Sequence, residues 1–148
     1  MLSSAKSTLN ETLVTVFNQI LRIEEAKLKS FGADLSVKEA HVIEAVIAAK
    51  ENNTASVIAT RLKVTIGSLT VAVNTLERKG YLVREKSLND RRRIHILPTE
   101  KAIKVNELHA GFHEEMTEAV MATLPSEQLQ TLITALTAVN AYFANEKE

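Results

Sequence analysis

The sequence predicts a mainly helical fold of six helices interrupted by one β-hairpin. Three observations carry that expectation. Breakers are scarce, with four glycines and two prolines in 148 residues, 45% of which are hydrophobic. Apolar residues recur three and four apart through most of the chain, the spacing of a helix with one buried face. Only residues 81–97 change rhythm, alternating apolar and polar on either side of the turn residues SLND.

LNETLVTVFNQILRIEEAKLKSF (9–31) places Leu9, Leu13, Val16, Phe17, Ile20, Leu21 and Leu28 at helical spacing, and Gly32 is a plausible stop. SVKE (36–39) has the pattern of a capping box, with Ser36 as N-cap and Glu39 three residues on. The helix it opens runs to about Lys50. ENNT is a loop whose Thr54 is a candidate cap for a short helix, ASVIATRL. LKVT (62–65) turns tightly into a fourth helix, where Ile66, Leu69, Val73 and Leu76 form an apolar stripe and Gly80 ends it. YLVREK (81–86) and RRRIHIL (91–97) are the two strands, with Arg93 lying along the second. Pro98 ends that strand and Thr99 caps a helix over 100–124, whose apolar positions include Ile103, Leu108, Phe112, Met116 and Val120. Pro125 breaks it, Ser126 caps the last helix, and Leu129, Leu132, Ile133, Leu136, Val139 and Phe143 are expected inward.

Composition narrows the chemistry. Without cysteine there are no disulfides, thiolate metal sites or thiol nucleophiles, which suits a reducing cytoplasm. Neither a glycine-rich phosphate loop nor G-x-S-x-G is present, so no enzyme and no cofactor are expected. The first ten residues lack an apolar stretch, and no apolar run approaches the roughly 20 residues that span a bilayer, so no membrane partner is expected. The zero net charge hides a split. Residues 61–101 hold ten Lys/Arg against four Asp/Glu, while the remainder holds eight against fourteen. A basic centre between acidic ends suits one face for a polyanion.

Two helices joined by a short turn and followed by a hairpin with a cationic tip make a winged helix-turn-helix, spanning 36–98. The fourth helix would enter a major groove of double-stranded DNA, presenting Thr65, Ser68, Thr70, Asn74 and then Arg78. Thr54 and Ser56, at the start of the third helix, join the candidate DNA contacts. Arg91 and Arg92 sit at the wing tip, where a narrow minor groove attracts guanidinium. Asp90 is expected to accept hydrogen bonds from a neighbouring arginine and hold its fork in place. A helical protein–protein module, docking an acidic partner on the basic centre, is the reading from another class; it predicts no preference for DNA at any salt.

NTLERKGYLVREKSLNDRRRIHI (74–96) resembles the most recognisable segment of the MarR family of transcriptional regulators, and the resemblance extends over almost the whole chain. It implies six helices and one hairpin, and a homodimer in which the first, fifth and sixth helices pack across a two-fold axis. Those helices lie within 1–35 and 99–148, flanking the winged helix of a single domain. VFNQIL, RIEE, SVKEAH, KVTIGSLTVAVNTLERKGY, DRRRIHI and ELHAGFHEEM are most similar to the FabT-type repressors of fatty-acid synthesis genes. That similarity implies promoter DNA as target and acyl groups on acyl carrier protein as modulators. Three positions depart from the family. Val71 stands where many members carry arginine, and is suited to a thymine methyl; Pro98 and Ala102 replace a usual leucine and glycine near the hinge.

His109 and His113 share a helix face at i, i+4. Resemblance brings Glu24, Glu25 and His41 near them, and Glu24, His41, His109 and His113 match the ligand pattern of the family's zinc-sensing branch. Three readings stay open for this cluster: a hydrogen-bonded polar junction, a metal site in a zinc-responsive regulator, or a contact for the acyl effector.

Overall fold

In the computed structural model, which describes residues 2–146, six helices and one antiparallel hairpin follow in the expected order. They are α1 (Leu2–Ser30), α2 (Val37–Ala49), α3 (Ala55–Leu62), α4 (Ile66–Arg78), β1 (Leu82–Lys86), β2 (Ile94–Pro98), α5 (Glu100–Ala122) and α6 (Ser126–Asn145). A 3-10 turn, Lys50–Asn52, links α2 to α3. The chain forms two compact units, Met1–Ala110 and Gly111–Glu148, with the boundary inside α5. Among the described residues no single helix is long and apolar enough to cross a membrane.

The core of the first unit is built on α2. Val37, Ala40, Val42, Ile43, Ala45 and Val46 are buried there, with Leu28 of α1, Ile58 and Ala59 of α3, Leu69, Val73 and Leu76 of α4, and Tyr81, Leu82 and Ile96 around the hairpin. Full burial of a Leu, Ile or Val side chain stabilises by about 1.5–3 kcal/mol, so this cluster holds three short helices that could not persist alone. Helix ends follow the local chemistry. The backbone N–H of Ala33 reaches Leu28 O and that of Tyr81 reaches Leu76 O, each over a glycine with left-handed φ, Gly32 at 70° and Gly80 at 80°.

α2 starts with the capping box read from SVKE: Ser36 Oγ accepts from Glu39 N–H, and a Glu39 oxygen accepts from Ser36 N–H at 2.9 Å. Glu39 has a second use. Its carboxylate also accepts from Lys79 Nζ at 2.9 Å, while Lys79 donates to Asp34 O at 2.9 Å. The end of α4 is therefore tied to the start of α2. The hydrogen bond it donates to Glu39 holds the Lys79 ammonium above its usual pKa.

Several local expectations are corrected by packing. α1 begins at Leu2, well before residue 9. β2 begins at Ile94, so Arg93 belongs to the hairpin tip, where its N–H donates to Asp90 O. Pro125, not Ser126, occupies the cap position of α6 and makes no side-chain capping bond. On α5 the buried positions are Ala102, Val105, His109 and Phe112, whereas Ile103 and Leu108 are exposed. The apolar stripe of α6 is not inward within one chain: none of its residues is buried, and Ile133, Leu136 and Phe143 are at least half exposed. Leu9, Val14 and Phe17 of α1 are equally open. On α1 and α6 apolar periodicity marked a helix face, but a face is buried only if something covers it.

Glu39→Ala removes a cap and a partly buried ion pair together, and should lower unfolding stability by about 1–2 kcal/mol. Urea denaturation of the variant checks this; an unchanged midpoint would mean that Lys79 and Ser36 find other partners.

Candidate nucleic-acid interface

Between α3 and α4 the chain bends through 107°, within the range of helix-turn-helix units. Lys63 closes α3 in the left-handed region (φ 55°) and its N–H returns to Thr60 O. Thr65 then caps α4, its hydroxyl oxygen accepting from Ser68 N–H at 3.1 Å and its hydroxyl donating to Ser68 Oγ at 3.0 Å. Thr54 occupies the cap position of α3 but makes no side-chain capping bond there, and Ser56 is exposed in its first turn.

With Leu69, Val73 and Leu76 buried, the outer side of α4 carries Gly67, Ser68, Thr70, Val71, Asn74 and Arg78, all exposed. Thr70 donates its hydroxyl to Ile66 O at 2.8 Å, and Arg78 reaches Thr75 Oγ1 at 3.3 Å. An exposed helix face following a tight turn, free of acidic groups until Glu77, can enter a groove and meet base edges.

The hairpin forms the wing. Its register pairs Leu82 with Pro98, Arg84 with Ile96 and Lys86 with Ile94. At the tip Asp90 Oδ1 accepts from the backbone N–H of Arg92 at 3.0 Å and lies 3.8 Å from its Nε. Asp90 thus shapes the turn through the backbone rather than gripping an arginine fork. The Arg92 side chain is 97% exposed, and Arg91 and Arg93 are exposed beside it. Three guanidinium groups stand out from one turn, and exposed cation at that density attracts phosphate.

Two attachments aim the wing, and the sequence signalled neither. Glu77 of α4 pairs with Arg84 of β1. Asn53, read only as loop, is 3% exposed and works as a clasp: its backbone oxygen accepts from Ile96 N–H at 2.9 Å, and its Oδ1 accepts from His95 Nδ1 at 2.6 Å. Thr54 makes an isolated antiparallel bridge with His95. No periodicity announces a residue that pairs with a strand some forty positions away.

A second cluster joins α1, α2 and the first part of α5. Glu24 is 2% exposed, and its Oε1 accepts from His41 Nε2 at 3.1 Å and from His109 Nε2 at 2.5 Å. Burial pushes the Glu24 carboxyl up, but hydrogen bonds from His109 and His41 outweigh it and leave the group below the usual carboxylate range. Glu25, on the next position of α1, is exposed and outside this arrangement. His113 follows His109 by one helical turn on α5 and falls in the second unit. Glu24, His41 and His109 offer ligand atoms within 4.8 Å of one another, a carboxylate and two imidazoles of the kind that zinc accepts.

Comparison with known proteins places these features. The sequence pattern of the MarR family matches residues 33–93. A crystal structure of Streptococcus pneumoniae FabT in complex with DNA is similar over 96% of this chain and 99% of that one, with 34% identity and a TM-score of 0.85. Staphylococcus aureus MepR in a complex with DNA is similar over 90% of this chain and 96% of that one, at 22% identity and a TM-score of 0.76, a likeness of fold. No curated protein matches the chain significantly.

Because the folded-state pKa of Glu24 is lowered, its contribution is present above the ordinary carboxylate pKa and lost as pH falls through the folded value. Glu24→Gln should therefore be less stable near neutrality, and its stability should fall less steeply below about pH 5. Chemical denaturation across a pH series tests this; parallel curves for the two proteins would sink it.

Proposed function

Because this chain belongs to the MarR family of winged-helix, DNA-binding transcriptional regulators, we propose that it is a homodimeric repressor of fatty-acid biosynthesis genes, acting on promoter DNA in the cytoplasm and modulated by acyl groups on acyl carrier protein. The observation that carries the finer part is 34% identity with FabT over 96% of the chain. In this reading α4 enters the major groove and Arg91 and Arg92 reach into the neighbouring minor groove. Thr54, Ser56 and Thr65 contact phosphates with hydroxyl and backbone groups at the starts of α3 and α4.

Dimerisation accounts for the uncovered faces of both units. Leu9, Phe17, Leu136 and Phe143 are 52–63% exposed, and burying such side chains between two copies is worth about 1.5–3 kcal/mol each. A two-fold dimer presents two α4 helices to a pseudo-palindromic site. An acyl-carrier effector can act only through unequal affinity for two arrangements of the dimer. The Glu24–His41–His109 cluster is a natural relay, since it ties α1 and α5 to α2, on which α4 rests.

A metal-responsive regulator is the second reading, favoured by the same three donors. Mobility shifts with a promoter fragment, run in parallel with acyl carrier protein, its acylated form, zinc and a chelator, separate the two. A response to the acylated carrier alone supports the first; loss with chelator and recovery with zinc supports the second.

Arg91→Ala with Arg92→Ala should weaken operator binding by about 1–3 kcal/mol per half-site and reduce its dependence on salt. Titrations at several salt concentrations check both effects. If the double variant bound like the wild type with the same salt slope, the wing would not contact DNA.

A further inference from the structure

We propose that the base-reading strip of α4 is Gly67, Val71 and Asn74, in which Val71 recognises the 5-methyl group of thymine and Gly67 is left bare so that the base-pair edge can approach. The proposal rests on the DNA-binding reading of α4 and adds what that helix selects.

The rotation of α4 comes first. Leu69 and Leu76 are 1% and 0% exposed and Val73 is 0%, which fixes the buried side of the helix. At 100° per residue, Gly67, Val71, Asn74 and Arg78 fall on the side opposite, spaced four, three and four apart. They are the groups pointing straight out. Thr75, Ser68 and Thr70 flank them.

The threonine hydroxyls beside the strip already donate within the protein. Thr65 donates to Ser68 Oγ, Thr70 to Ile66 O at 2.8 Å and Thr75 to Val71 O at 3.2 Å. Their donor protons are taken up within the protein. At the centre of the strip stands Val71, 67% exposed. A β-branched residue gains nothing for the helix at such a place. Against DNA it has one good counterpart in the major groove, the thymine methyl, because that is the one bulky apolar group displayed among the hydrogen-bond donors and acceptors there.

Gly67 supplies the second, independent observation. Its φ is not left-handed, unlike those of Gly32 and Gly80. Beyond its chain neighbours and its own helix backbone, a Cβ built on it would meet nothing nearer than Thr65 Oγ1 at 4.0 Å. Nothing in the described residues requires glycine here, and alanine would favour the helix. A missing side chain that the fold does not need leaves clearance for something outside it. One turn from Val71, on the same outward side, that clearance lies where a base-pair edge would come nearest.

The test uses the full-length protein and a duplex that it selects from a random-sequence pool. Each thymine of that duplex is replaced in turn by deoxyuridine, which removes the methyl and leaves every hydrogen-bonding group. Wild type should bind about fourfold more weakly per half-site at one symmetry-related thymine pair, the ratio that one buried methyl is worth. Val71→Ala should lose that discrimination. Gly67→Ala should melt no lower than wild type yet bind the selected duplex roughly tenfold more weakly, as a methyl in a tight contact would cause. Indifference to deoxyuridine at every position, full discrimination in Val71→Ala, or unimpaired binding by Gly67→Ala would each overturn the proposal. Those outcomes leave binding to the selected duplex in place, so they do not bear on whether α4 meets DNA.

Discussion

The rotation of α4 about its own axis controls which groups of that helix face outward, and three buried side chains set that rotation. Leu69, Val73 and Leu76 sit within a core that also takes in α2, α3 and the root of the hairpin. Turning the helix by even one residue, 100°, would carry at least one of them into water and bring exposed groups inside. The cost would be of the order of the transfer energy of the displaced side chains, about 1.5–3 kcal/mol each. A face held by that margin is fixed by the fold, and its outward strip is a consequence of the core.

Holding the rotation is not enough; the helix must also be placed against its neighbours. The end of α4 is where the ties converge. Lys79 reaches Asp34 and Glu39 ahead of and within α2, and Lys101 of α5 donates to Lys79 O at 2.8 Å while its ammonium lies 4.1 Å from the centre of the Tyr81 ring. Thr99 donates to Gly80 O at 2.8 Å and receives nothing shorter than 3.4 Å from Ala102 N–H. Its hydroxyl therefore serves the junction more than the cap of α5. The same few residues fix where the wing departs, where α5 begins and how α4 ends. A displacement of α5 relative to α2 would be felt there first, which gives the buried Glu24 cluster its interest: it ties the same helices from another side.

Charge is arranged with similar economy. Asp90, the acidic group at the wing tip, is turned toward the backbone of Arg92, and Glu77 is occupied by Arg84. These two carboxylates are thus engaged by neighbouring donors, while the Arg91 and Arg92 side chains are left to solvent. An exposed ion pair such as Asp90–Arg92 contributes little to stability, so the aspartate is better understood as a turn-former than as a restraint on the guanidinium.

By itself the sequence determined the order and kind of the elements, the capping box at Ser36 and Glu39, the turn before Ile66, the arginine-tipped hairpin, and the family to which such a segment belongs. These are local properties: capping, turn chemistry and helical or alternating periodicity all act within a few residues. Only the tertiary structure decided that Glu24 rather than Glu25 meets the histidines, that Ala102 and Val105 rather than Ile103 and Leu108 face the core, and that Asn53 clasps the wing. It also decided that the apolar stripe of α6 has no cover in one chain. Each of these depends on which elements lie against one another across long stretches of chain. Periodicity reports that a helix has a face; packing alone says what, if anything, that face touches.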